Sequence, residues 1–295
     1  MAHQASSMAR DKRITMEDAV RLVPDRHAVL ALGGVTLYRR PMAFALALRS
    51  AFRASGQPTE LTLLAFTAGM ESDLLVGAGV VSRVRSCYFG LEAFGLAPHF
   101  TSAAGKGEIE IVEETEASLA FGLRASLAGV GFMPSRAWQG TVLPELRPDV
   151  RTVVDPYSGE ELTAFPAIAC DVAVLHALEA DMDGNADLGR NLGVDVELAL
   201  VAKTVIVTAE RVIPRLARAD VVGPLVTAVV EAPYGAWPTS CHPLYPLDGL
   251  QTLRYTEAAG TEAEPALLSE WAAHQRKAGS QLDDRQDGTT DGDER

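Results

Sequence analysis

The sequence predicts an α/β domain: an open, largely parallel sheet flanked by helices. Three observations carry this. Apolar runs too short for helices recur along the chain. Segments with helical spacing alternate with them over most of its length. No internal repeat and no linker-like stretch divides residues 14–278, so a single domain is expected there. Residues 1–13 read as a flexible N-terminus. Residues 279–295 carry six acidic and two basic residues with Leu282 as the only aliphatic, and read as a disordered acidic tail.

The elements follow in order. Thr15 and Asp18 have capping-box spacing ahead of Ala19, Val20, Leu22 and Val23, which starts a short helix. Residues 27–34 form a buried strand that runs into the Gly33–Gly34 turn. Pro41 then stands where a first helical residue belongs, and residues 42–54 continue at helical period. Residues 61–66 and 84–89 are further strands, with a helix over 71–78 between them. Residues 108–113 alternate polar and apolar, as a strand with one solvated face does. A helix over 118–128 ends at Gly129, and the proline- and glycine-dotted residues 132–148 read as loop. Residues 171–177, 204–208 and 225–230 are the remaining strands, with a helix over 195–202 among them.

The chain has 295 residues, with 26 basic against 39 acidic side chains and a net charge of −13. So acidic a surface repels phosphate backbones and anionic lipid, which speaks against nucleic-acid and membrane partners. No apolar run approaches the ~20 residues a membrane span needs. The polar, basic start does not resemble a secretory signal, so a soluble cytoplasmic protein is expected. Three scattered cysteines, Cys87, Cys170 and Cys241, give neither a disulfide framework nor metal-ligand spacing, and no metal is expected.

Several motifs fail on inspection. Asp181, Asp183, Asn185 and Asp187 begin like a calcium loop, but Ala186 and Leu192 stand where glycine and glutamate are required. Gly77 and Gly79 precede a strand, whereas a dinucleotide fingerprint follows one, and Ser82 replaces its third glycine. His176, inside an apolar strand, reads as a hydrogen-bonded core residue rather than a base.

Four segments remain. Residues 33–41 join a strand end, a glycine turn, Arg39, Arg40 and a helix start, a place suited to an anion. The alternative is a structural βα turn with arginines on the surface. Carboxylates at 108, 110, 113, 114 and 116 mostly solvate a strand and turn, but Glu116 falls where strand gives way to helix, the position that lines ligand crevices. The Asp183–Gly184–Asn185 stretch is a tight turn. Residues 231–241 concentrate Tyr234, Trp237, Thr239 and Ser240 in a loop fit to close a pocket or dock a partner.

Taken in order, these segments resemble the α (A) subunit of family I coenzyme A transferases, nearest the glutaconate CoA-transferase type and the related steroid-ring-opening CoA-ester hydrolases. The resemblance covers residues 15–259. The family's signature is Gly-Gly-Phe, three residues, then Gly-x-Pro. Gly33, Gly34 and Pro41 stand in register with it, while Val35 replaces the Phe and Arg39 the later Gly. Gly77–Gly79, Glu116 ahead of Leu119, residues 132–136, 183–185 and 230–240 continue the series. The resemblance implies a fold shared with sugar-phosphate isomerases and a hetero-oligomer with a β (B) subunit. It also implies coenzyme A as substrate, with no tightly bound cofactor. The family's nucleophilic glutamate lies in a Glu-Asn-Gly segment of the β subunit, and this chain has no such segment. Gly33, Gly34, Arg39 and Arg40 would then bind a carboxylic acid or the acyl-CoA. In a hydrolase, Glu116 would be the catalytic carboxylate. A non-catalytic ligand-binding relative is the third reading.

Overall fold

The computed structural model describes residues 11–287. A seven-strand parallel sheet runs β11 (Ala228–Glu231), β10 (Ala202–Ile213), β8 (Cys170–Asp181), β1 (Val29–Leu32), β2 (Leu61–Ala68), β3 (Val81–Phe89), β4 (Glu110–Glu113). A two-residue strand β9 (Ala186–Asp187) turns back antiparallel on β8. The central strands read as unbroken apolar runs because both of their faces are covered. Leu30 and Leu32 of β1 pack with Phe44 and Leu48 of α2 (Met42–Ser55). Ala31 between them faces the opposite layer, with Leu119 and Leu123 of α5 (Glu116–Leu127) and Leu198 of α7 (Asp195–Val201).

The first helix, α1 (Met16–Val20), is capped by the Thr15 hydroxyl, which accepts the Asp18 N–H at 3.1 Å. Pro41 is the residue before α2 rather than its first. After β2 comes α3 (Met70–Ala78), which ends with Gly79 in the left-handed region; the Gly77–Gly79 pair is thus part of a helix stop. A helix α4 (Pro98–Lys106) bridges β3 and β4.

Residues 132–148 are not simply loop. They hold β5 (Phe132–Ser135) and a short helix α6 (Leu143–Leu146). With β6 (Arg151–Val154) and β7 (Glu161–Pro166), β5 forms a separate antiparallel sheet in the order β5–β7–β6. Its strands are short and contain Pro134 and Pro166, which is why local pattern hid them. What holds them is tertiary: Trp138 and Phe165 meet edge to face with centroids 5.0 Å apart, and the Trp138 indole donates to Thr115 Oγ1 at 2.9 Å.

Two C-terminal helices close the fold. In α8 (Gly249–Ala258) and α9 (Glu264–Asp287), Tyr255 and Trp271 are fully buried against Met42, Met70 and Trp237. Helical backbone thus continues through residues 279–287, the first part of the expected tail; residues 288–295 and 1–10 lie outside the described residues. Among the described residues, no helix is long and apolar enough to cross a membrane.

Candidate active site at the carboxyl edge of the sheet

Strand order reverses between β1 and β8, and such a switch point leaves a crevice beyond the carboxyl ends of the strands. The Gly33–Gly34 turn sits there. Gly33 N–H donates to the Val174 carbonyl at 2.9 Å, and Gly34 N–H donates to the Asp195 carboxylate at 3.0 Å. A Cβ on Gly33 would come 2.6 Å from Leu175 Cδ2 and 2.8 Å from Asp195 Oδ1, and Gly34 holds φ at +86°. Both positions therefore demand glycine.

Arg39 and Arg40 are fully buried. Arg39 donates to the His176 carbonyl at 2.6 Å, to the Asn191 carbonyl at 2.8 Å and to Asp195 Oδ2 at 3.0 Å. Arg40 donates to the Gly34 carbonyl at 2.8 Å and pairs with Glu71. The first turn of α2 is covered as well, because Ala43 N–H donates to the Gly235 carbonyl at 2.9 Å. Sequence reasoning aimed Gly33, Gly34, Arg39 and Arg40 at an acid or CoA ester. In the structure their bonded donors address internal acceptors, and the arginines are not on the surface. Among the described residues, each arginine Nε and Glu71 Oε2 is buried without a hydrogen-bond partner.

The loop that follows β11 is stitched to this turn. Arg39 N–H donates to the Ser240 carbonyl at 2.8 Å, and Ser240 N–H to the Leu37 carbonyl at 2.9 Å. Beneath it, His176 has Nδ1 2.9 Å from Thr208 Oγ1 and Nε2 2.8 Å from Glu210 Oε1. Glu210 also accepts from the Tyr234 N–H at 2.6 Å and from the Tyr245 hydroxyl. His176 is thus the hydrogen-bonded core residue its position suggested. Donor atoms of His176, Glu210 and Cys241 lie within 4.8 Å of one another, and burial pushes the Cys241 thiol up.

Glu116 opens α5 and is exposed, at the N-terminal end where the helix dipole favours a carboxylate. Its neighbour Glu114 is the buried one. It accepts from Arg85 Nε at 2.6 Å and Arg147 Nη1 at 2.9 Å, and from Ser118. At the start of α3, Glu71, Ser72 and Asp73 are all fully buried. Burial pushes the Asp73 carboxyl up, against hydrogen bonds from the Tyr255 hydroxyl at 2.6 Å and the Phe100 N–H at 2.7 Å. Sequence reasoning passed over Glu71, Asp73, Glu114, Asp195 and Glu210 as site residues. The available signal was polar residues next to apolar strands, which spacing alone cannot tell from surface.

The coenzyme A transferase profile matches residues 13–232, and this chain belongs to that family. It is 29% identical to the α (A) subunit of glutaconate CoA-transferase from Acidaminococcus fermentans, over 88% of this chain and 87% of that one. The crystal structure of that transferase superposes with a TM-score of 0.80 over 92% of each chain. The cholesterol ring-cleaving hydrolase IpdA subunit of Mycobacterium tuberculosis is 31% identical over 85% of this chain and 89% of its own. A crystal structure of the decarboxylase AibA/AibB, in a cysteine-to-serine variant, is 32% identical with a TM-score of 0.82, covering 90% of this chain and all of that one. An uncharacterized protein of Archaeoglobus fulgidus, 34% identical, is spanned over only 47% of its length.

Proposed function

We propose that this chain is the α subunit of a two-subunit CoA-transferase, moving coenzyme A between an acyl-CoA thioester and a carboxylic acid. The observation that carries it is the near-full-length match to the glutaconate CoA-transferase α chain, in a protein whose Gly33–Gly34 turn stands at the switch point. The nucleophilic glutamate belongs to the partner β subunit. That carboxylate attacks the thioester carbonyl and expels CoA thiolate, leaving a mixed anhydride. The thiolate then attacks the enzyme's acyl carbon, releasing the donor acid and forming an enzyme–CoA thioester, which an acceptor acid reverses. Coenzyme A is a substrate here, with no tightly held cofactor, and the location is cytoplasmic.

In this reading Arg39 and Arg40 are positioning residues. They clamp the turn against Asp195 and Glu71 and fix where an acyl group meets the β-subunit carboxylate. The test uses the chain purified with its partner: acyl-CoA should disappear only with added carboxylic acid, and CoA should appear on that acid. Loss in buffer alone overturns it.

A second reading, a CoA-ester ring-opening hydrolase, is favoured by the IpdA match and by exposed Glu116 at the carboxyl edge. There, Glu116→Gln abolishes hydrolysis while unfolding stays within about 0.5 kcal/mol, as for other exposed positions. Release of carbon dioxide would point instead to the chemistry of the AibA/AibB neighbour. Ligand binding without any thioester chemistry would leave a non-catalytic relative.

A further inference from the structure

Where α9 packs on α2, a cleft of about 360 Å³ stays open between the two helices. Leu46 and Leu268 form its buried floor, and Arg49, Ser50, Arg53 and Arg276 stand in its walls. Ligand pockets begin at roughly 300 Å³, so the space suits a small ion or metabolite rather than a peptide. It lies about two to three turns along α2 from the end that adjoins the glycine turn.

Three cations meet there with little to balance them. Arg49 and Arg53 are one helical turn apart on α2, a spacing at which like charges oppose each other. Arg49 is 8% exposed, and burial together with the Arg53 charge pushes its guanidinium below its ordinary value. That guanidinium makes no hydrogen bond among the described residues, and its Nη2 is buried 3.7 Å from Glu264. The Glu264 carboxylate is already engaged by His99 at 3.2 Å and by the Gly260 N–H at 2.9 Å. Arg53 and Arg276 are exposed, and their side chains make no hydrogen bond or ion pair among the described residues. The helix dipole accounts for Arg53, in the last turn of α2, but not for Arg49 or for Arg276 within α9. In a chain with 39 acidic residues against 26 basic, three arginines gather around a cavity whose walls, among the described residues, hold no acid.

We propose that the α2–α9 cleft binds a small oxyanion carrying two or more negative charges, held by the Arg49, Arg53 and Arg276 guanidiniums with the Ser50 hydroxyl as a further donor. Guanidinium forks match phosphate and carboxylate oxygens alike, so a pyrophosphate and a polycarboxylate share this chemistry. The site stands apart from the transferase reading, since none of its residues belongs to the glycine turn.

The test titrates inorganic pyrophosphate, tricarballylate and acetate calorimetrically into the assembly of this chain with its partner. Three proteins are compared: wild type, Arg53→Gln/Arg276→Gln, and Arg151→Gln/Arg215→Gln, which removes equal charge from exposed positions elsewhere. Pyrophosphate or tricarballylate should bind wild type and the second variant alike, and Arg53→Gln/Arg276→Gln about tenfold or more weakly. Binding should weaken as salt is raised. Whichever polyanion binds more tightly identifies the source of the oxyanion, a phosphate or a carboxylate compound. Acetate, with one charge, should bind wild type about tenfold or more weakly than either. Failure of both polyanions to bind wild type overturns the proposal. So does equal affinity in wild type and Arg53→Gln/Arg276→Gln, equal affinity for acetate, or the same loss in Arg151→Gln/Arg215→Gln, which marks a diffuse charge effect. The readout is binding without turnover, so its failure leaves the transferase reading in place, and absence of acyl-CoA turnover leaves this site in place.

Discussion

Replacing Asp195 by alanine is the sharpest perturbation of the glycine turn. The carboxylate is 1% exposed, accepts the Gly34 N–H at 3.0 Å and pairs with Arg39 at 3.0 Å. Its loss leaves a fully buried guanidinium bonded, among the described residues, to the His176 and Asn191 carbonyls alone, with its ion-pair partner gone. Breaking one side of a buried ion pair costs about 3–5 kcal/mol. The orphaned Gly34 N–H adds about 1–3 kcal/mol, only partly additive with it. Urea unfolding reads this directly. With a slope of about 3 kcal/mol per molar, a loss of ~4 kcal/mol moves the midpoint down by roughly 1.3 M at unchanged slope. Asp195→Asn, which keeps an acceptor for Gly34 but no charge, should fall between. Adding Arg39→Met to Asp195→Ala should recover about 1–3 kcal/mol relative to the sum of the single variants, since the stranded charge is gone. A midpoint shift below about 0.2 M for Asp195→Ala, or strictly additive single effects, refutes the account of a charge-clamped turn.

Two further outcomes follow from the same structure. Gly33→Ala drives a methyl to within 2.6 Å of Leu175 Cδ2, so thermal unfolding should show a loss of about 1–3 kcal/mol, and wild-type stability would mean the turn has slack. The pair between His99 and Glu264 joins α4 to α9 at 3.2 Å, beside Arg49 and buried Asp73. The Glu264 carboxylate holds the His99 imidazole above its ordinary range. Burial works against the Glu264 charge, yet His99 and the Gly260 N–H hold its carboxyl below the usual range. Stabilisation from His99 is therefore complete below its unfolded value near 6.5 and fades as pH rises through the folded one, while the Glu264 share fades in acid. Stabilities of wild type and His99→Gln, read from urea midpoints, should differ by up to about 1 kcal/mol near pH 5.5, with the gap narrowing as pH rises above His99's unfolded value; a constant gap refutes the pairing.

The local pattern of the chain determined its strands and helices wherever both faces of the sheet are covered. Residues 28–32 and 172–175 are apolar throughout because neighbouring side chains meet different layers of helices, and that requirement is written into the residues themselves. The glycine turn, the Thr15 cap and the Asp183–Gly184–Asn185 turn were equally legible, since each depends on a few adjacent residues. In the last of these, Asp181 accepts the Asn185 N–H at 2.9 Å, as a tight turn requires. Burial of charge was decided only by tertiary structure. Glu116 and Glu114 are two residues apart, yet one is exposed and the other is 2% exposed beneath Arg85 and Arg147. Asp195 meets Arg39, and Glu210 meets His176, across separations of 156 and 34 residues. A side chain's spacing along the chain says which face of an element it occupies. Whether that face meets water, a counter-charge or another strand depends on where the sheet order brings distant segments together.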